Sequence, residues 1–259
     1  MKDIKLKLAK GKITALKKEK SKINPLQNID TLITGTAYIG MLAGSTSLLA
    51  NAPIMILASK GREGITFIGD LNNIDIIGQF TAFYVEENTD VIAIISEEAI
   101  DGRHLVYAIL DPKDGLLYMI YEMGRSIKKG YKAILKQILA FSIFCWGVIF
   151  IVMFIFFIFD GNYELLDYKY LASVALLSLL GSFIFFTLMN YFSYYKSYKE
   201  FGFVSEKIFE KLGFKNPEDI DLYPTIPIDR AGYPVGVFEY RKVVENDPYP
   251  SDYFDKKEE

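Results

Sequence analysis

The nearest approach to a paired-carboxylate site in this chain is "DPKDG", where Asp111 and Asp114 stand three residues apart. Two such carboxyl groups can divide into a general acid and a general base when their surroundings differ. The same five residues also spell a tight turn, with Pro112 fixing φ and Gly115 free to take φ > 0. That turn accounts for both aspartates. Glu97, Glu98, Asp101 and Arg103 crowd "SEEAIDGRH" and read as a charged turn around Asp101-Gly102. His104 is the one histidine and Cys145 the one cysteine, so neither a zinc site nor a disulfide framework is expected. "KGREG" at 60–64 lacks the spacing of a dinucleotide fingerprint and reads as a loop, and no P-loop, nucleophile elbow, HExxH or CxxC occurs. The expectation is no catalytic residue, no cofactor and no metal, hence not an enzyme.

The elements that carry these turns are strands. "GITFIGDL", "IDIIGQFTAFYV", "VIAIIS", "HLVYAIL" and "LLYMIY" parse as a β-meander over 61–125. Upstream, "IKLKLAKGKITALKK" alternates Ile4, Leu6 and Leu8 with lysines, the period of a half-buried strand. Lysine on the open side of an edge strand guards against edge pairing. With a strand at 11–18 the count is five or six, enough for a small antiparallel β barrel or sandwich. Residues 1–22 carry nine Lys against Asp3 and Glu19, but the aromatic and Arg content that reads bases is missing, so no nucleic acid is expected. Residues 31–59 are free of charge and read as a small-residue helix near 36–51 followed by a strand at 53–58; a membrane-inserted segment is the alternative.

Residues 138–159 and 171–192 are each 22 long without one charged residue or histidine, and sixteen positions of the first are Ile, Leu, Val or Phe. A helix of that length spans roughly 33 Å, against a hydrocarbon slab of about 30 Å. The pair therefore reads as a transmembrane hairpin. Arg125, Lys128, Lys129, Lys132 and Lys136 precede it and Lys196 and Lys199 follow it, whereas the connection holds Asp160, Glu164 and Asp167 against Lys169. Basic flanks stay in the cytoplasm, which places both termini there. Tyr163, Tyr168 and Tyr170 at one boundary and Tyr191, Tyr194 and Tyr195 at the other suit an interfacial belt. Ser178, Gly181 and Ser182 form a small-xxx-small face, against the chain's own first span or against another copy. Beyond the hairpin, Ser205 reads as the N-cap of a short helix with Ile208, Phe209 and Leu212 on one side and Gly213 as its stop. Asn216 and Pro217 open a second helical turn, "YPVGVFEYRKVV" adds a strand, and "DKKEE" is expected to be disordered.

The fold expected is thus an α+β membrane protein. A cytoplasmic β domain over 1–125 leads through a basic segment, 126–137, to the hairpin at 138–192, and 193–259 is a helical C-terminal region. "VYAILDPKDGLLYMIYEMGRS", the basic segment, the two spans and "IFEKLGFKNPEDIDL" together resemble a group of bacterial inner-membrane proteins. That group is catalogued as type VI secretion system effectors, with immunity-type partners among its members. The resemblance covers about 90–222. Where the group carries a His and a Cys before Gly-Arg, this chain has Glu122 and Met123, so no shared metal or thiol chemistry is implied.

The resemblance implies an inner-membrane protein of interbacterial competition that binds a protein partner, by neutralising a toxin or tethering an effector. A membrane-perturbing effector that inserts its own spans is the second expectation, and a membrane-anchored enzyme the third. Residues 61–125 hold twelve acids against four bases and residues 200–259 fourteen against eight, which favours a basic partner. Membrane lipid is the other partner expected.

Overall fold

The computed structural model describes residues 4–23, 62–160, 168–225 and 236–255. Seven strands are formed: β1 (Leu6–Ile23), β2 (Arg62–Leu71), β3 (Asp75–Phe80), β4 (Asp90–Ile100), β5 (Arg103–Asp111), β6 (Leu116–Met119) and β7 (Val237–Glu239). Among the described residues two α-helices, α1 (Ile127–Asp160) and α2 (Tyr168–Lys211), join the strands in an α+β arrangement. The expected helix at 36–51 and strand at 53–58 lie outside the described residues.

The chain divides into two compact units, Met1–Lys129 with Lys199–Glu259, and Gly130–Tyr198. In the first unit the strands run in the order β3-β2-β1-β4-β5-β6-β7, and a parallel contact between β3 and β5 closes the first five into a barrel. Around the ring the order is 1-2-3-5-4, the connectivity of an OB-type Greek-key barrel, which speaks to architecture and not to activity. The meander expected from the sequence is therefore corrected at one joint. β3 and β4 are consecutive but not paired, because residues 81–89 carry the chain across one end of the barrel instead of turning it back.

β1 departs from the expected edge strand at 11–18 in length and in place. It runs eighteen residues and lies between two neighbours, pairing with β4 over Leu6–Lys12 and with β2 over Ile13–Ile23. A bulge between Thr14 and Lys17, where Ala15 takes φ 51°, lets one strand serve both partners. Nor is 60–64 a loop throughout, since Arg62–Gly64 already pair with Ser21–Ile23. The local turns form as their residues dictate. Asp101 and Gly102 take φ 49° and 80° between β4 and β5, and Asn72 and Asn73 take 51° and 65° between β2 and β3. At Asp111–Gly115 the Asp111 carboxylate accepts the Lys113 and Asp114 backbone N–H groups, at 2.9 and 3.3 Å, and Gly115 takes φ 68°.

Two cores result. Inside the barrel, Phe67, Phe80, Phe83 and Tyr118 pack with Ile13, Leu71, Ile76, Val91 and Ile109. Phe83 comes from the crossing segment and stacks on Phe67 at a centroid distance of 4.2 Å, so that segment plugs the barrel end. Lys18 reaches over the Phe83 ring, donates to the Phe83 and Val85 carbonyls, and has its pKa lowered by burial despite the nearby Glu86. The second core covers the outer side of β4, β5 and β6 with the last turns of α2 and with the C-terminal segment. Phe201, Val204, Ile208, Phe209 and Leu212 enter it from α2, and Tyr240, Val244 and Tyr249 from beyond β7. Full burial of each such aliphatic or Phe side chain is worth about 1.5–3 kcal/mol, which is why β5 is apolar on both faces.

Ser205 is not an N-cap. It sits inside a continuous α2 and its Oγ donates to the Phe201 carbonyl at 2.8 Å. The apolar positions 201, 204, 208 and 212 keep helical spacing straight through it, so nothing there starts a helix. Gly213, at φ 73°, does stop it, and Phe214 folds back to stack on Tyr240 at 5.5 Å. Pro217–Asp219 forms a 3₁₀ turn after Asn216 at φ 53°, and the strand expected from "YPVGVFEYRKVV" is β7.

Candidate membrane interface

Where the chain leaves the barrel for α1, each residue of "GRS" has a distinct task. Gly124 leaves room for the Phe238 ring, since a Cβ there would lie 2.6 Å from its Cζ. Its carbonyl accepts the Leu222 N–H at 2.8 Å, and the Ser126 N–H donates to the Ile220 carbonyl at 3.0 Å, so 124–126 pairs antiparallel with 220–222. Arg125 donates from Nε to Asp221 at 2.9 Å and lies over the Tyr223 ring at 4.2 Å. The Tyr223 hydroxyl donates to the Tyr121 carbonyl at 2.9 Å, and burial raises its pKa.

The first turn of α1 is capped from two sides. The Ser126 Oγ donates to the Glu218 carbonyl at 2.7 Å and faces the Lys129 N–H at 3.4 Å. The Ile127 N–H donates to the Glu206 carboxylate on α2 at 2.9 Å; burial raises the pKa of that carboxyl, and the Ile127 bond opposes the rise. Gly202 allows α2 to come this close, because a Cβ there would lie 2.9 Å from Ile127 backbone atoms. Lys128 and Lys129 both reach Asp219, at 2.8 and 3.7 Å. The Lys128 bond holds the Asp219 carboxyl below its usual range, and the same bond raises Lys128.

In the second unit the surface changes character. Of the twenty large hydrophobic side chains exposed among the described residues, nineteen lie between Leu135 and Met189, and the other is Tyr84. Phe144 is 65 % exposed and Leu177 70 %, values foreign to the core helix of a soluble domain. Within this unit Phe141 and Phe186 meet edge to face at 4.8 Å, and Trp146 stacks on Phe150 at 5.6 Å. One described helical stretch, Ile127–Val152 at 26 residues, is long and apolar enough to cross a membrane; the apolar stretch described in α2, Ser173–Met189, is shorter.

The basic flank expected from the sequence thus separates into groups. Arg125, Lys128 and Lys129 are bound to Asp221 and Asp219, Lys132 and Lys136 stand exposed on α1, and Lys199 stands exposed on α2. The Lys196 side chain is outside the described residues. Ser178 and Ser182 donate to the Ala175 and Leu179 carbonyls of their own helix at 2.9 Å, and a Cβ on Gly181 would meet nothing within 4 Å.

The chemistry-bearing residues of the sequence stay scattered. Glu97, Glu98, Asp101 and Arg103 are solvent-exposed, and Asp111 is engaged in its turn, where burial raises its pKa. The His104 Nδ1 pairs with the Ser96 carbonyl at 2.8 Å, and its Nε2 lies 3.3 Å from the Lys7 ammonium. Among the described residues no group of three or more His, Cys, Asp or Glu is placed to hold a metal. Sequence reasoning missed Glu206, Asp219, Asp221 and Tyr223 as the partners of the α1 entry; the acidic run "PEDID" was the signal for Asp219 and Asp221, and no local pattern marked Glu206 or Tyr223. Comparison with protein-family models, curated proteins and solved structures finds no match for this chain.

Proposed function

We propose that the chain is a non-enzymatic inner-membrane protein whose helices hold the β barrel at the cytoplasmic face, where it binds a protein partner. One observation carries the reading: among the described residues, the exposed large apolar side chains are concentrated in 135–189, and Tyr84 is the one such side chain described in the barrel unit. A bilayer covers such a surface without a protein partner, and α1 offers it no charge between Lys136 and Asp160. Lysines at 132, 136, 196 and 199 favour cytoplasmic termini. The link to type VI secretion, with a toxin to neutralise or an effector to tether, rests on the resemblance over 90–222. A basic partner suits the acidic balance of 61–125 and 200–259.

Membrane fractionation of the full chain tests the anchoring. Retention in the pellet after alkaline carbonate, with release by detergent, is the expected result; recovery in the aqueous wash would sink it. Reporter fusions after Asn162 and after Ser251 should report opposite compartments.

The exposed apolar surface also favours a second reading, an effector that inserts its spans into a victim membrane. Expression behind a periplasmic signal separates the two. Growth arrest supports the effector, and rescue of a host poisoned by the neighbouring gene's product supports neutralisation.

A further inference from the structure

Five basic residues lead into α1, and they are not equivalent. Arg125, Lys128 and Lys129 are matched by Asp221 and Asp219. Lys132 and Lys136 are exposed, and the described residues offer neither of them an ion pair. They are four apart on one helix, hence neighbours on the same face. No Asp or Glu occurs between Glu122 and Asp160, the last residue of α1, so no acid on that helix lies within about six turns of Lys136. Immediately beside them the surface turns apolar, with Leu135 50 % and Leu139 48 % exposed.

We propose that Lys132 and Lys136 form a contact selective for the headgroup of an anionic phospholipid, whereas Arg125, Lys128 and Lys129 brace the protein against itself. This rests on the anchoring proposed above. Two ammonium groups that no described residue pairs, bordering an apolar surface, complement an amphiphile with a negative head and an acyl tail. The lysine stems lie along the apolar helix and lift their charges to headgroup level. A zwitterionic head offers the same phosphate but brings its own cation, so the electrostatic preference is for the anionic lipid. Free phosphate would use the charges and leave the apolar border unoccupied.

Trp146 is the chain's only tryptophan and stands ten residues beyond Lys136, about 15 Å along the helix axis. Its fluorescence therefore reports which lipid surrounds α1. The full chain is placed in phosphatidylcholine vesicles carrying a minor, equal fraction of brominated phosphatidylglycerol or brominated phosphatidylcholine. The anionic quencher should associate more strongly, by about fivefold for each lysine at low salt. The preference should shrink at high salt and be unmoved by added inorganic phosphate at equal ionic strength. It should fall to near unity in Lys132→Ala/Lys136→Ala, persist in Lys132→Arg/Lys136→Arg, and persist in Lys128→Ala/Lys129→Ala. Equal quenching by the two lipids in the unsubstituted chain overturns the proposal, as does a preference lost only with Lys128 and Lys129. Quenching by neither lipid defeats the anchoring itself and the headgroup contact with it.

Discussion

Gly78 lies directly opposite Phe67 in the β2–β3 pair, and a Cβ there would sit 2.3 Å from the Phe67 Cζ. That ring is fully buried and stacked on Phe83, so it has nowhere to retreat. Gly78→Ala is expected to destabilise the barrel by about 1–3 kcal/mol, read as a shifted urea midpoint. Gly102→Ala meets open space and differs only in its φ of 80°, so the strain of about 1–2 kcal/mol should be its whole cost. At the α1 entry, Arg125→Ala removes a part-buried ion pair and a contact with the Tyr223 ring, and about 1–2 kcal/mol should go with them. Buried phenols make stability depend on pH on the alkaline side. Burial pushes Tyr107 and Tyr249 up to about 12 from 10.0, so the folded chain keeps protons that the unfolded chain releases. Stability is full below pH 10 and falls between pH 10 and 12 by about 1.4 kcal/mol per pH unit for each phenol. Unfolding midpoints across that window should fall less steeply in Tyr107→Phe, with Tyr249 still contributing.

At the scale of elements, α2 gives the sharpest contrast between sequence and structure. If Ser205 began a helix, proline at 207 would lie in its first turn and be tolerated. In a helix already running from Tyr168, Lys207→Pro removes an interior hydrogen bond and should cost about 3 kcal/mol or more, visible as a lower melting temperature in detergent. Ser205 has good capping chemistry, but the apolar spacing continues on both sides of it and marks an unbroken helix. The turns at Asp101-Gly102 and Asp111–Gly115 were legible because their chemistry is complete within five residues. Barrel closure was not, since the parallel β3–β5 contact joins positions such as Ile77 and Leu105 that no local pattern connects. The lysines of β1 misled for a related reason: alternation reports which side is wet, not how many strands lie alongside. The apolar helices were legible from composition alone, whereas the internal pairing of Lys128 and Lys129 required knowing where Asp219 folds.

At the scale of the molecule, the barrel unit draws on both ends of the chain. β1 to β6 precede the apolar helices, and the side chains that cover β4, β5 and β6 from outside follow them. A chain ending at 198 keeps all five barrel strands yet leaves Ile94, Leu105 and Leu110 without Ile208, Phe209 and Tyr240 over them. It is expected to aggregate or be degraded, whereas the full chain gives a cooperative transition; pulse-chase and limited proteolysis would separate the two. The same arrangement governs birth on the ribosome. The 93 residues between Met119 and Leu212 take roughly 5–20 s to translate, and during that interval one sheet face is bare. The barrel strands are complete before the helices emerge, but the core over β4, β5 and β6 waits for residues that follow the helices. On the anchoring proposed above, the apolar helices would reach a membrane before that outer core can close.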